Sequence, residues 1–183
     1  AFKRVSGAED TTYWIHKALL NVTLRNDFAG AEKLLNRYRA IALTDPIWRL
    51  SLAFVQAAKG NPVAALELYD AALQTFEGQV PVKTLMDVED YVHWWLETYN
   101  GPPTLFLLSA ELNAKGKQDW ELAKSDLEQF VASGELSRHP ELGSRVANLR
   151  EGISKVIAEA VSSRESLAQP DIKLQTLQVK LVN

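Results

Sequence analysis

The chain of 183 residues contains no cysteine, one methionine and no apolar run near the roughly 20 residues that a membrane span requires. Without cysteine there is no disulfide, no thiolate metal site and no cysteine nucleophile. That absence leaves the compartment open, because cysteine-free chains of this length occur on both sides of membranes. The compartment stays unassigned, with the cytoplasm slightly favoured and a signal peptide removed ahead of Ala1 compatible with the sequence. The net charge is −3 and no Lys/Arg cluster stands out. Nothing therefore draws the chain to a phosphate backbone, and nucleic acid is excluded as a partner. There is no G-x-S-x-G, no phosphate-binding glycine loop and no H-E-x-x-H. No catalytic residue, cofactor or metal is assigned.

What is present is an ordinary globular composition, 46% hydrophobic and 23% charged, which argues against wholesale disorder. The length suits one domain with a real core, or a short array of repeated units. The stretch "AAKGNPVAALELYDAAL", residues 57–73, decides between them. Gly60 suits the left-handed conformation that ends a helix, Asn61 caps the next one, and Pro62 fits its first turn. The spacing predicts helices over about Pro46–Lys59 and Pro62–Phe76, the first opened by Asp45 and Pro46.

The pattern recurs at 34 residues: Trp14 and Trp48, Asp27 and Asn61, Ala31 and Ala65, Leu34 and Leu68. The earlier unit reads "YWIHKALLNVTLRNDFAGAEKLLNRYRA" and the later one "IWRLSLAFVQAAKGNPVAALELYDAA". A helix–turn–helix period of this length resembles the tetratricopeptide repeats. That family has an early aromatic, a large–small pair, a turn, and small residues in the second helix. In the second unit these are Trp48, Leu52–Ala53, Gly60–Asn61, Ala65, Tyr69 and Ala72. In the first they are Trp14, Ala18–Leu19, Asn26–Asp27, Ala31, Leu35 and Tyr38. The tryptophans sit one position early, the first unit reverses the large–small order, and Tyr38 is bulky where a small residue is usual. The likeness covers residues 10–77.

Beyond it the period breaks. Residues 82–99 form one inserted amphipathic helix with Leu85, Val88, Val92, Trp95 and Tyr99 on a stripe, stopped by Gly101-Pro102-Pro103. A degenerate third pair occupies 103–134, with Asp119 as N-cap and Gly134 as stop. A last helix runs from Pro140 to about residue 167, with Leu142, Val146, Leu149, Ile153, Val156, Ala160 and Leu167 at near-heptad spacing. Ala147, Ser154 and Val161 widen that seam on one side, so a cap on the array is preferred to a dimerising coil. The tail, 170–183, alternates like a strand, yet Leu174, Leu177 and Leu181 also fit a helical stripe. Either way it requires a partner surface, in its own groove or a neighbouring subunit. The expected fold is all-α: a right-handed tetratricopeptide-like superhelix with an inserted helix and a C-terminal capping helix.

The resemblance implies a concave groove lined by the first helix of each pair. Its positions fall on Tyr13, His16, Leu20, Thr23 and Leu24 in the first unit, and on Ile47, Leu50, Phe54, Ala57 and Ala58 in the second. The carboxylate clamp of one subclass is missing, since its positions read His16, Leu20 and Ser51. The ligand expected is an apolar peptide or helix. Asp87, Asp90 and Trp94 share another face and form a possible second contact, although the plainer and preferred reading packs Trp94 on the helix after Gly101. His93 lies between Glu89 and Glu97 at helical spacing, a pattern that solvated helix faces also carry. His139 precedes Pro140 and belongs to helix capping, and Asn21-Val22-Thr23 is a glycosylation sequon inside a helix. The functional expectation is a non-enzymatic interaction module, an adaptor or assembly subunit, with dimerisation through the tail as one route. The competing expectation is an enzyme or its helical domain, which a deep pocket with buried carboxylates would favour.

Overall fold

The computed structural model describes residues 11–37, 46–75, 80, 82–99 and 101–181. The side chains of Tyr13, Trp14, His16 and Thr23, and those from 165 onward, lie outside the described set, as do Tyr38 and Asp45. The described residues form nine α-helices and no strand. These are α1 (Thr11–Arg25), α2 (Phe28–Arg37), α3 (Pro46–Ala58), α4 (Pro62–Thr75), α5 (Val82–Tyr99), α6 (Thr104–Leu112), α7 (Trp120–Ala132), the short α8 (Glu135–Arg138) and α9 (Gly143–Leu181). None of the described helices is long and apolar enough to cross a membrane.

The turns have the chemistry the sequence announces. Gly60 sits at φ 82°, where an L side chain is strained. Asn61 N donates to Gln56 O and Gly60 N to Ala57 O, both at 2.9 Å, the paired bonds that close a helix C-terminus. Asn61 O then accepts from Ala65 N at 3.1 Å and opens α4. In the first unit Asn26 takes the left-handed position, at φ 55°. Asp27 Oδ1 accepts from Gly30 N at 2.8 Å, capping α2. Asp119 caps α7 through Leu122 N at 3.1 Å, and Gly134 ends it at φ 79°.

Helices α1/α2, α3/α4 and α6/α7 pack as pairs, and α3 also touches α1, α2 and α6. Bonds between layers fix the stacking. Trp48 Nε1 donates to Leu35 O (2.6 Å), Thr104 Oγ1 to Ala57 O (2.5 Å) and Tyr69 OH to Glu111 O (3.1 Å). Helix α6 is buried on every side: Leu105, Leu108 and Leu112 join the core of α1–α5, while Leu107 and Ala110 join a second core with α7 and α9. This is why its sequence is mostly apolar, with Thr104, Ser109 and Glu111 as buried polar members that find partners.

The inserted helix α5 determines which surfaces remain open. It packs on α3 and α6 and, more lightly, on α1, the first helices of all three pairs. Leu85, Val88, Val92 and Trp95 are buried there as their stripe predicts, whereas Tyr99 is exposed.

Three features depart from the sequence reading. Helix α6 ends in a π-helical turn, Asn113–Lys117, where Gly116 approaches α5 so closely that a Cβ would lie 2.9 Å from Leu85 Cβ. Helix α8 follows Gly134 where a plain stop was expected. Pro140–Leu142 is a 3₁₀ turn, and the last helix starts at Gly143 and stays helical past Pro170 to Leu181.

Candidate functional site

The expected groove divides between surface and core. Ile47, Leu50, Phe54, Ala57 and Ala58 are buried, so the second unit offers no open apolar trough, and that expectation is corrected. The cover comes from α5 and α6: Trp95 of α5 meets Phe54 edge-on at 6.4 Å between ring centres and Phe28 at 6.0 Å, and α6 packs on α3 beside it. Local periodicity shows that α3 has an apolar face. It does not show that a later helix of the same chain covers it.

In the first unit Leu20 and Leu24 stay exposed. Together with Asp90, Tyr91 and Trp94 of α5 they line a recess of about 310 Å³. Leu24 also borders a neighbouring recess of about 560 Å³ with Phe28, Lys59, Trp95 and Tyr99. Two contacts that the sequence suggested separately, the groove of the first unit and the Asp90/Trp94 face, are therefore one surface. Trp94 packs edge-on against Tyr99 of its own helix at 5.6 Å. The residue wedged on the segment after α5 is Trp95, since a Cβ on Gly101 would lie 2.3 Å from its indole. Asp87 is held by Lys83 Nζ at 3.0 and 2.9 Å. Burial, and then Asp87, raise the Tyr91 hydroxyl above its ordinary pKa.

The Glu89/His93/Glu97 stripe separates. His93 Nε2 pairs with Glu97 at 3.0 Å, while Glu89 turns inward and is buried. No group of three or more potential metal ligands occurs among the described residues.

Two polar networks, one buried and one half-buried, could not be read from spacing. In one, Asn113 Nδ2 faces Glu89 Oε1 (3.4 Å), Ser109 Oγ (3.2 Å) and Asp126 Oδ2 (3.4 Å). Ser109 Oγ donates to Asp126 at 2.7 Å. Asn113 Oδ1 is buried without a hydrogen-bond partner among the described residues. Burial raises the Asp126 pKa, Ser109 opposes this, and Glu89 raises it further. None of the recesses named here is lined by Glu89 or Asp126.

In the other, Arg145 of α9 clasps two helices, α4 and α6. Its Nη1 and Nη2 reach Asp70 at 2.5 and 2.8 Å, its Nε reaches Glu111 Oε1 at 2.6 Å, and its guanidinium lies 5.8 Å from the Tyr69 ring centre. Burial raises the Glu111 pKa against the pull of Arg145. Glu111 and Arg145 line a recess of about 640 Å³ beneath α9 with Trp120 and Asn148. This is the place in the structure that comes nearest to the competing enzymatic expectation. Of its two carboxylates, Glu141 is exposed at the surface and Glu111 is committed to the ion pair with Arg145, an arrangement that fastens α9 to α4 and α6.

No family model matches the chain, and neither the curated proteins nor the solved structures provide a match.

Proposed function

We propose that the chain is a non-enzymatic interaction module of tetratricopeptide-like build whose concave side is largely filled by its own helix α5. The remaining recess between α1 and α5 receives apolar side chains of a protein partner. One observation carries this reading. Leu20, Leu24 and Trp94 are all exposed and line one concavity, and grouped exposure of large apolar side chains marks interaction surfaces. The 34-residue period and the stacking of first helices support the tetratricopeptide-like part. The commitment of Glu111 to Arg145 counts against catalysis in the recess beneath α9.

The reading is tested by placing a photo-crosslinking amino acid at Leu24 and, as a control, at exposed Lys124 on α7. Discrete protein adducts at Leu24 that are missing at Lys124 are expected. Equal or no labelling at the two positions would remove the recess as a docking surface.

A further inference from the structure

The recess between α1 and α5 meets its neighbour at Leu24, which lines both. The two differ in chemistry. The first is walled by leucine and aromatic side chains, and its charged member, Asp90, is already engaged within the chain. The second sets Arg25, Asn26 and Lys59 beside Phe28, Trp95 and Tyr99 and is lined by no acid.

Acceptors in this second recess are occupied. Carbonyls at the ends of α1 and α3 are taken up by the chain's own turns. Asn21 O and Val22 O accept from Asp27 N and Asn26 N at 3.0 Å, and Gln56 O and Ala57 O from Asn61 N and Gly60 N at 2.9 Å. The nearby acids are occupied too. Asp27 caps α2 through Gly30 N, and Glu32 holds Lys59 Nζ at 2.8 Å together with Gln56 Nε2. Donors, by contrast, are free. Arg25 is exposed, and its side chain makes no hydrogen bond or ion pair among the described residues. Trp95 Nε1, beside Gly101 in the wall, is buried without a hydrogen-bond partner among the described residues. Such a wall is completed by an acceptor from outside, and the strongest acceptor for a guanidinium is a carboxylate. A cationic ligand would meet Arg25 and Lys59 as like charges.

We infer that the partner segment received at Leu20, Leu24 and Trp94 carries an Asp or Glu side chain beside its apolar residues, and that Arg25 binds this carboxylate. This rests on the recess being a docking surface and names the chemistry of its occupant. Arg25 follows Leu24 on α1, so the apolar and the ionic contact fall on neighbouring parts of one short segment.

Random peptides displayed on phage through their C-termini, and so without a free terminal carboxylate, are panned on the full chain, with the Leu24→Asn chain for counter-selection. Enriched sequences should combine large apolar residues with Asp or Glu. One of them, synthesised with a fluorophore and an amidated C-terminus, is titrated by anisotropy. Leu24→Asn should weaken its binding roughly tenfold. Arg25→Glu should weaken it roughly fivefold at low salt and less at high salt. With the peptide's acid replaced by lysine, the Arg25→Glu chain should bind more tightly than the parent. Circular dichroism should be unchanged in both variants, since Leu24 and Arg25 are exposed. Enriched peptides without an acid, or Leu24-dependent binding that ignores Arg25→Glu, overturn the inference while the docking surface stands. Binding seen only with a free peptide C-terminus overturns the side-chain assignment. If no peptide distinguishes the parent from Leu24→Asn, both the inference and the docking surface beneath it fall.

Discussion

Leu20 and Leu24 of α1 and Phe54 and Ala58 of α3 occupy the same positions 34 residues apart, and their surroundings are opposite. The first two are 44% and 60% exposed, the second two 0% and 5%. Their helices are built alike and both carry an apolar face. What differs is the cover: α5 and α6 both pack on α3, while α5 touches α1 only lightly. A repeat position thus specifies a face, and a helix outside the repeat decides whether that face becomes core or binding surface.

The largest effect that sharpens this contrast comes from truncating the paired positions. Phe54→Ala should lose about 3–5 kcal/mol, because it empties a site enclosed by α3 and Trp95 of α5. Leu20→Ala should stay within about 0.5 kcal/mol. Urea unfolding of both variants measures the difference. Comparable losses would mean that α1 is covered as fully as α3, and the contrast would disappear.

The alanines should behave in the opposite way, with symmetry between the units. Ala31 and Ala65 are both buried, each on the second helix of its pair where backbones approach. Ala65→Leu and Ala31→Leu should each cost about 1–3 kcal/mol by overpacking. Thermal melts test this, and a tolerated leucine at Ala65 would show that the two units are misaligned.

The features legible in the sequence are local ones. The bounds of α5, the left-handed Gly60, the Asp119 cap and the apolar stripe of α5 follow from residues within a few positions of each other. The fate of Phe54 was not legible, because it depends on Trp95, which is 41 positions further on. The same holds for the Arg145 clasp, whose partner Asp70 is 75 residues away, and for Asn113, which joins α5, α6 and α7. The candidate site was half legible: the sequence picked out Leu20, Leu24, Asp90 and Trp94, but only the fold brings them into one recess. The strand-or-helix choice in the tail was open because its short apolar run fits both periods.

The smallest effect probes how well α5 fits as a cover. Its inner face is apolar over α3, but toward α6 and α7 it brings Glu89 to Asn113 and near Asp126. Burial and Glu89 raise the Asp126 pKa, with Ser109, His93 and Asn113 acting against them. A carboxyl group raised on folding has the opposite sign from a salt-bridged one. Between its unfolded value, about 3.9, and its higher folded value, the native state binds more protons, so stability falls as pH rises. Above the folded value the penalty is fully present, and below the unfolded value it is gone. Asp126→Asn keeps an acceptor for Ser109 and removes the charge, so the variant should lose less stability than the parent between pH 4 and 7. Glu111 contributes a slope of the same sign in both proteins, and the difference between them isolates Asp126. Urea midpoints at several pH values provide the measurement. A variant with the parent's slope, or one destabilised most at neutral pH, would mean that charged Asp126 is satisfied by Ser109 and Asn113, and that α5 covers the far pair as comfortably as it covers α3.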